Sequence, residues 1–172
     1  MWWCDRVNLR WLLIAALCAS TAACGFKLRG QQTFPFDTIN VPLNTPLGAE
    51  LRRNIAAASA QTKVVDSPTE AEAVLTILSE AQEKVILSLS TQGRVQEYQL
   101  RLRVAFRVSN QKGLDFVPAT AILLTRDITF NDQVLAKEVE EAQLYREMRS
   151  DLVQQILRRL GAAKAITAED DE

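Results

Sequence analysis

The stretch Arg94–Val108, RVQEYQLRLRVAFRV, decides the fold of this chain. From Tyr98 onward its even positions are all apolar or aromatic, whereas its odd positions are polar or small and include three arginines. Successive side chains of a strand point to opposite faces, so this two-residue period excludes a helix and predicts a strand with one core face. The eleven positions from Tyr98 would extend roughly 35 Å.

The face opposite the core carries a row of three arginines: Arg101, Arg103 and Arg107. Polar residues on the outer face are the ordinary condition of an antiparallel sheet, so solvation is one explanation of this row. A surface that contacts anions is the other explanation. The strand alone leaves both open.

Residues 1–23 are predicted to be a signal peptide that is removed. Two arginines precede the apolar run Trp11–Leu17, which is too short to cross a hydrocarbon core about 30 Å thick as a helix. The run is followed by Thr21–Cys24, TAAC, which resembles a bacterial lipobox. We therefore expect Cys24 to be acylated and to become the mature N-terminus. An ordinary cleavage site with a cysteine nearby by chance is the alternative.

An acylated Cys24 would hold the protein on a membrane that it does not cross. One acyl chain gives marginal binding, whereas the two or three chains of a bacterial lipoprotein anchor it stably. Gly25 follows the cysteine, at the position where an aspartate resembles an inner-membrane retention signal. We therefore expect the periplasmic side of the outer membrane.

The rest of the chain is long enough for one domain with its own core. Removing residues 1–23 from 172 leaves 149, and we place the domain at residues 24–165. The net charge of −1 becomes −2, because the signal peptide carries two arginines and one aspartate. Residues 166–172 are predicted to be a disordered acidic tail. This charge is far from that of a nucleic-acid binder.

The residue types present argue against an enzyme. The chain has no histidine, which removes the commonest general base and the commonest metal ligand. After processing, Cys24 would be the one cysteine left, so no intramolecular disulfide can form. No Walker A loop, GxGxxG turn or CxxC pair occurs. We expect no catalytic residues, no metal and no cofactor.

Short loops join the arginine-bearing strand to a neighbour on each side. Thr91–Gly93 predicts a hairpin with a preceding strand over Ala73–Leu89. Asn110–Gly113 leads into a following strand over Phe116–Phe130. Three consecutive antiparallel strands result.

The strand over Ala73–Leu89 is predicted to turn its odd, mostly apolar positions to the core. Alternation is interrupted at Ser79 and Glu83. A bulge or a twist is expected at these points, because an extra residue shifts the pattern by one.

Two helices are predicted outside these strands. Pro46 begins the first, with Asn44 or Thr45 as its cap, and apolar residues at every fourth position carry it to about Ala60. The second runs over Val134–Leu160, with apolar residues three or four positions apart. The stripe of this second helix consists of Leu135, Val139, Ala142, Tyr145, Met148, Leu152, Ile156 and Leu160.

A short strand over residues 39–43 precedes the first helix, and a connector, Thr62–Thr69, follows it. The short strand, the helix and the next long strand make a right-handed βαβ unit. The expected fold therefore combines helices and strands (α/β in the broad sense) in the α+β arrangement. It is a mixed, mostly antiparallel four-stranded sheet with two helices packed on one face.

These pieces resemble the LptE family of lipopolysaccharide-assembly lipoproteins, also called RlpB. The matching residues are Cys24–Arg29 (CGFKLR), then Gly93, Arg94, Glu97 and Tyr98 at the hairpin, then Leu135–Lys137, Glu147 and Met148 on the last helix. The resemblance covers the mature chain up to its tail. It implies a mixed sheet packed by two helices. It also implies a plug in the lumen of the outer-membrane β-barrel LptD that helps to deliver lipopolysaccharide to the cell surface.

The resemblance further implies contacts with lipopolysaccharide itself. Lipid A carries phosphates, which arginine and lysine bind. The basic residues of the family near the hairpin and ahead of the last helix correspond to Arg94 and Lys137 here, while Thr91 stands where some members carry a further arginine. Further candidates are Arg101, Arg103 and Arg107. The alternative for that row is contact with polar groups of the barrel wall.

A second function stays open beside this one. A periplasmic lipoprotein of similar build would capture a small apolar ligand between sheet and helices. The chain has six glycines and no aromatic cluster, which argues mildly against a preformed pocket of that kind.

Overall fold

The computed structural model describes residues 32–129 and 134–164. Three of the sequence predictions lie outside these residues: the signal peptide, the lipidated Cys24 and the acidic tail. For residues 134–137 the backbone alone is described, which leaves the side chain of Lys137 outside as well.

Five strands form one mixed sheet, with two helices and one short 3₁₀ turn. The strands are Thr38–Asn40 (β1), Lys63–Val65 (β2), Ala73–Leu89 (β3), Val95–Ser109 (β4) and Asp115–Thr129 (β5). The helices are Pro46–Ala58 (α1) and Val134–Gly161 (α2), and the 3₁₀ turn is Pro68–Glu70. The order across the sheet is β2-β1-β3-β4-β5, with β1 parallel to both neighbours and β3, β4 and β5 antiparallel. The predicted α+β class is confirmed.

The predicted count of four strands is wrong, because β2 lies in the segment Thr62–Thr69 that was predicted as a connector. Three residues, one of them the exposed Lys63, are too few to display a two-residue period. The Lys63 amide donates to the Asp37 carbonyl at 2.8 Å, and Asn40 Nδ2 donates to the Val65 carbonyl at 3.1 Å. The βαβ unit is therefore β1-α1-β2, and β3 lies on the other side of β1.

Helix α1 begins as the sequence predicts. Thr45 is its N-cap, and Thr45 Oγ1 accepts a hydrogen bond from the Gly48 amide at 3.0 Å. Pro46 takes the first helical position, where the missing N–H costs no intrahelical bond. The helix ends at Ala58, close to the predicted end, and buries a stripe consisting of Leu47, Leu51 and Ile55.

Strand β4 has the two faces that its sequence predicts. The even side chains from Leu100 to Val108 are 0–1% exposed, and they share one apolar core with both helices. Helices α1 and α2 lie side by side on this face, joined by a 2.7 Å hydrogen bond from Ser150 Oγ to Glu50 Oε1. The predicted packing of both helices on one face of the sheet is confirmed.

The fully buried side chains described for α2 lie in its C-terminal half, while Leu144 and Tyr145 are partly buried against the same core. The buried side chains described for this helix are Met148, Leu152, Val153, Ile156, Leu157 and Leu160. The predicted stripe is wrong at Val139 and Ala142, which are exposed. Because the 28-residue helix extends about 42 Å, its first half runs past the core along the outer part of β3.

A β-bulge at Leu78 changes which side chains of β3 face the helices. Ile77 pairs with Phe106 and Ser79 with Ala105, so Leu78 is the extra residue. Beyond it the odd residues, such as Ala81, share the face of the arginine row. The predicted interruption near Ser79 is thus confirmed, whereas the pairing runs regularly through Glu83, and the next irregularities lie between Ile86 and Leu89. The prediction that all odd positions of β3 face the core is wrong beyond Leu78.

The two faces of β4 predict opposite effects for two adjacent substitutions. Leu102 is 1% exposed, so Leu102→Ala should lower the free energy of unfolding by about 2–5 kcal/mol through lost burial and a cavity. The neighbouring Arg103 is exposed, so Arg103→Ala should change it by no more than about 0.5 kcal/mol. Urea denaturation followed by circular dichroism measures both. Equal effects of the two substitutions would contradict the assignment of the faces.

Candidate functional site

The hairpin between β3 and β4 presents Arg94 at an exposed end of the sheet. Ser90 organises the turn: its carbonyl accepts from the Gly93 amide at 2.9 Å, and its Oγ accepts from the Arg94 amide at 3.1 Å. Gly93 has a φ of +75°, in the left-handed region that favours glycine. Among the described residues, the Arg94 guanidinium has no hydrogen-bond or ion-pair partner.

The first turn of α2, which contains Lys137, lies toward the same end of the sheet. Lys84 Nζ lies 2.6 Å from Glu141 Oε2, and the Tyr145 hydroxyl donates to the Glu83 carbonyl at 2.8 Å. These two contacts join α2 to the outer part of β3. Lys137 is one helical turn before Glu141, in the direction of the hairpin.

The three arginines of β4 differ in their surroundings. Arg101 Nε donates to Gln99 Oε1 at 2.9 Å. Arg107 Nε lies 3.4 Å from Asp115 Oδ1 on β5. Arg103, in the middle of the row, makes no hydrogen bond or ion pair with any described residue. Within the described chain, Arg101 and Arg107 thus have side-chain partners, whereas Arg103 has none.

The surface around Arg103 is open and partly apolar. Its cross-strand neighbours are Ala81 on β3 and Leu123 on β5, and all three side chains are exposed. Both helices pack on the opposite face of the sheet. Within residues 32–129 and 134–164, no helix covers the arginine face.

Sequence reasoning missed a group of exposed apolar side chains near the hairpin. They are Val85, Ile86, Leu87 and Leu89 on β3 and Val139 on α2, with exposed fractions from 37% to 68%. The predicted pattern assigned most of them to the core. Three consecutive apolar residues, 85–87, were the available signal, because a strand with one solvated face does not show such a run.

A cleft of about 710 Å³ lies between β3 and the first half of α2. Its lining is mostly charged or polar and comprises Gln82, Lys84, Glu138, Glu141, Ala142, Tyr145, Arg146 and Arg149. Burial raises the pKa of the Tyr145 hydroxyl above its usual value, and the nearby carboxylates of Glu141 and Glu83 raise it further. Within residues 32–129 and 134–164, no cluster of three or more His, Cys, Asp or Glu side chains could hold a metal ion.

A family model described as LptE, lipopolysaccharide-assembly, matches residues 32–160. The chain belongs to the LptE family. The matched span contains all five strands, α1 and α2 up to Leu160. The family resemblance predicted from the sequence is confirmed.

Individual LptE proteins match over most of their length. The LPS-assembly lipoprotein LptE of Pectobacterium atrosepticum is 29% identical over 164 residues, which cover 90% of this chain and 86% of that protein. The LptE of Yersinia enterocolitica is 30% identical over 164 residues, which cover 90% of this chain and 76% of that protein.

Two solved structures have the same fold as this LptE-family chain. Lipoprotein B from Nitrosomonas europaea is 41% identical with a TM-score of 0.69, covering 80% of this chain and 91% of that one. Rare lipoprotein B from Shewanella oneidensis is 26% identical with a TM-score of 0.61, covering 73% and 92%. In the described part of this chain, neither helix is both long and apolar enough to span a bilayer.

The bond from Tyr145 to Glu83 predicts a pH-dependent stability. Tyr145→Phe should lower the free energy of unfolding at neutral pH by about 0.5–1.5 kcal/mol, the usual net worth of one hydrogen bond. Because the pKa of Tyr145 is raised in the fold, neutral Tyr145 stabilises the fold below about pH 10, and this contribution is lost as the pH rises through the folded pKa. As the pH rises above about 10, the free energy of unfolding should therefore fall less in the Tyr145→Phe protein than in the wild-type protein.

Ultraviolet absorbance titration provides the control, because the chain has two tyrosines and Tyr145→Phe isolates Tyr98. Denaturant unfolding at neutral and alkaline pH measures the difference in stability. Identical pH profiles of the two proteins would contradict the raised pKa.

Proposed function

We propose that this chain is a non-enzymatic outer-membrane lipoprotein that binds lipopolysaccharide and both plugs and supports the LptD β-barrel. The observation that carries the proposal is Arg94, a guanidinium at the tip of a hairpin with no partner among the described residues. Membership of the lipopolysaccharide-assembly family supports the ligand class. Acylation of Cys24 is proposed as the membrane anchor, with the domain at 24–165 on the periplasmic side.

Arg94 and Lys137 are proposed to bind the phosphates of lipid A. Arginine binds phosphate through paired N–H donors, and a guanidinium with no internal partner loses no protein hydrogen bond when it does so. Lys137, in the first turn of α2, would add a second positive charge at the same end of the sheet. Two cations at one end of the sheet suit a headgroup that carries more than one phosphate.

Within the row on β4, Arg103 is proposed as the main additional contact with lipopolysaccharide. Arg101 and Arg107 would contribute less, because each already binds a neighbour, Gln99 and Asp115 respectively. The exposed Leu123 beside Arg103 adds apolar area next to the charge. A cation beside an apolar side chain fits an amphiphile better than a soluble ion.

Capture of a small apolar ligand has less support. The cleft between β3 and α2 is open and lined mainly by charged and polar side chains, whereas sites for small apolar ligands are mostly apolar and enclosing. No contact in the described residues favours this alternative.

Replacement of the two proposed phosphate-binding residues should weaken lipopolysaccharide binding. Arg94→Ala should lower the affinity by about 10- to 100-fold, since a hydrogen bond to a charged group contributes about 1.5–3 kcal/mol. Lys137→Ala should lower it further in the double variant. Equilibrium binding of purified lipopolysaccharide by the full chain, at one fixed salt concentration, measures both. Lys63→Ala is the matched control, since Lys63 is an exposed lysine on the edge strand β2. Equal affinities of all three variants would contradict the assignment.

The barrel partner is tested by purification of the full chain from outer membranes without denaturation. The LptD barrel should co-purify with the wild-type chain. Arg103→Glu should keep the barrel and weaken lipopolysaccharide binding. Loss of the barrel with unchanged lipid affinity would instead assign the arginine face to the barrel wall. A chain recovered alone would contradict the proposed partner.

A further inference from the structure

The apolar tip, defined as Val85, Ile86, Leu87, Leu89 and Val139, lies beside the hairpin that carries Arg94. Five of the eight large apolar side chains that are exposed in the described chain belong to it. Exposed apolar residues scattered singly are ordinary, but several of them near one end of a sheet point to an apolar partner there.

The exposed apolar side chains of the tip are not simply an extension of the core face of the sheet beyond the helices. Val85 and Ile86 are adjacent in a paired strand and point to opposite faces, and both are exposed. A sheet that packs on a core needs one apolar face, whereas here exposed apolar side chains lie on both faces of the hairpin. Leu87 occupies an irregularity in the register between Ile86 and Ser88, which disrupts regular pairing with another strand at this point. An apolar environment that surrounds the hairpin accounts for this pattern better than a single packed layer does.

Charged groups bound the tip on both sides. On one side, Lys84 Nζ forms an ion pair with Glu141 Oε2 at 2.6 Å and lies 4.6 Å from the centroid of the Tyr98 ring. On the other side Leu89 pairs with Val95, the residue next to Arg94. Arg94, whose guanidinium has no partner among the described residues, is thus the sequence neighbour of a residue that pairs with the apolar tip. This order of cation and apolar surface is complementary to an anionic headgroup with hydrocarbon chains attached.

We infer that the acyl chains of the lipopolysaccharide whose phosphate binds Arg94 pack against the apolar tip. This inference rests on the proposed function and adds to it the part of the ligand that the tip contacts. Ile86, on the face of β3 that carries α2, and Val85, on the arginine face, would contact the chains from the two sides of the hairpin. The site would then discriminate acylated from deacylated ligand, which the cations alone cannot do.

Photocrosslinking in cells tests the contact in the full chain. A photoreactive phenylalanine analogue replaces Leu87 or Leu89 in separate variants, and Leu43 in the control, since Leu43 is also exposed but lies in the loop after β1. We expect adducts with lipopolysaccharide at the two tip positions and none at Leu43. Arg94→Ala should reduce the adduct at Leu87 several-fold. Adducts at the tip that contain only phospholipid or protein would overturn the inference.

A binding comparison separates failure of the inference from failure of the proposed function. Leu87→Gln with Leu89→Gln should weaken binding of intact lipopolysaccharide about tenfold, as expected when two leucines lose apolar contact. Binding of the deacylated phosphosaccharide should stay unchanged, while Arg94→Ala should weaken both ligands. Leu43→Gln is the control, and circular dichroism checks that each variant folds. If Arg94→Ala alone weakens binding, the tip is excluded and the proposed function stands. If neither variant does, both fail.

Discussion

The alternation of side chains along β4 is the constraint on which the rest of the structure depends. Its apolar face, from Leu100 to Val108, forms the surface of the sheet on which both helices pack. Because a slip of one residue would turn this whole set toward solvent, the face also restricts how β3 and β5 can pair on either side. Both helices depend on this apolar surface, since amphipathic helices gain most of their stability from packing.

Features that repeat over many residues were predictable from the sequence. The two faces of β4, the cap of α1 at Thr45 and the two hairpin turns follow from local chemistry that a single chain displays. Strand β2 was not predictable, since three residues carry no period and their place beside β1 depends on contacts with Asp37 and Asn40, more than twenty residues away. The exposed first half of α2 was missed for a related reason. Periodicity reports a stripe, but it does not report how far the core beneath that stripe extends.

In the candidate site, too, some features were predictable from the sequence and others required the structure. Sequence and resemblance identified the cations, but the three arginines of β4 were equivalent until the positions of Gln99 and Asp115 were known. What distinguishes Arg103 is the absence of a partner within the described chain. This property depends on which side chains surround Arg103 in the fold, and the spacing of residues in the sequence does not show it. The apolar tip shows the converse case, in which a visible run of residues was assigned to the core because an apolar strand residue is ordinarily buried.

The bulge at Leu78 has a consequence for how relatives of this chain are compared. Strand β3 carries two phases of hydrophobic alternation, one before the bulge and one after it. An alignment that places a one-residue gap on the wrong side of Leu78 exchanges inward and outward positions along the strand up to its next irregularity. Substitution patterns in this strand therefore become interpretable once its two segments are aligned separately, each against its own partner residues on β4.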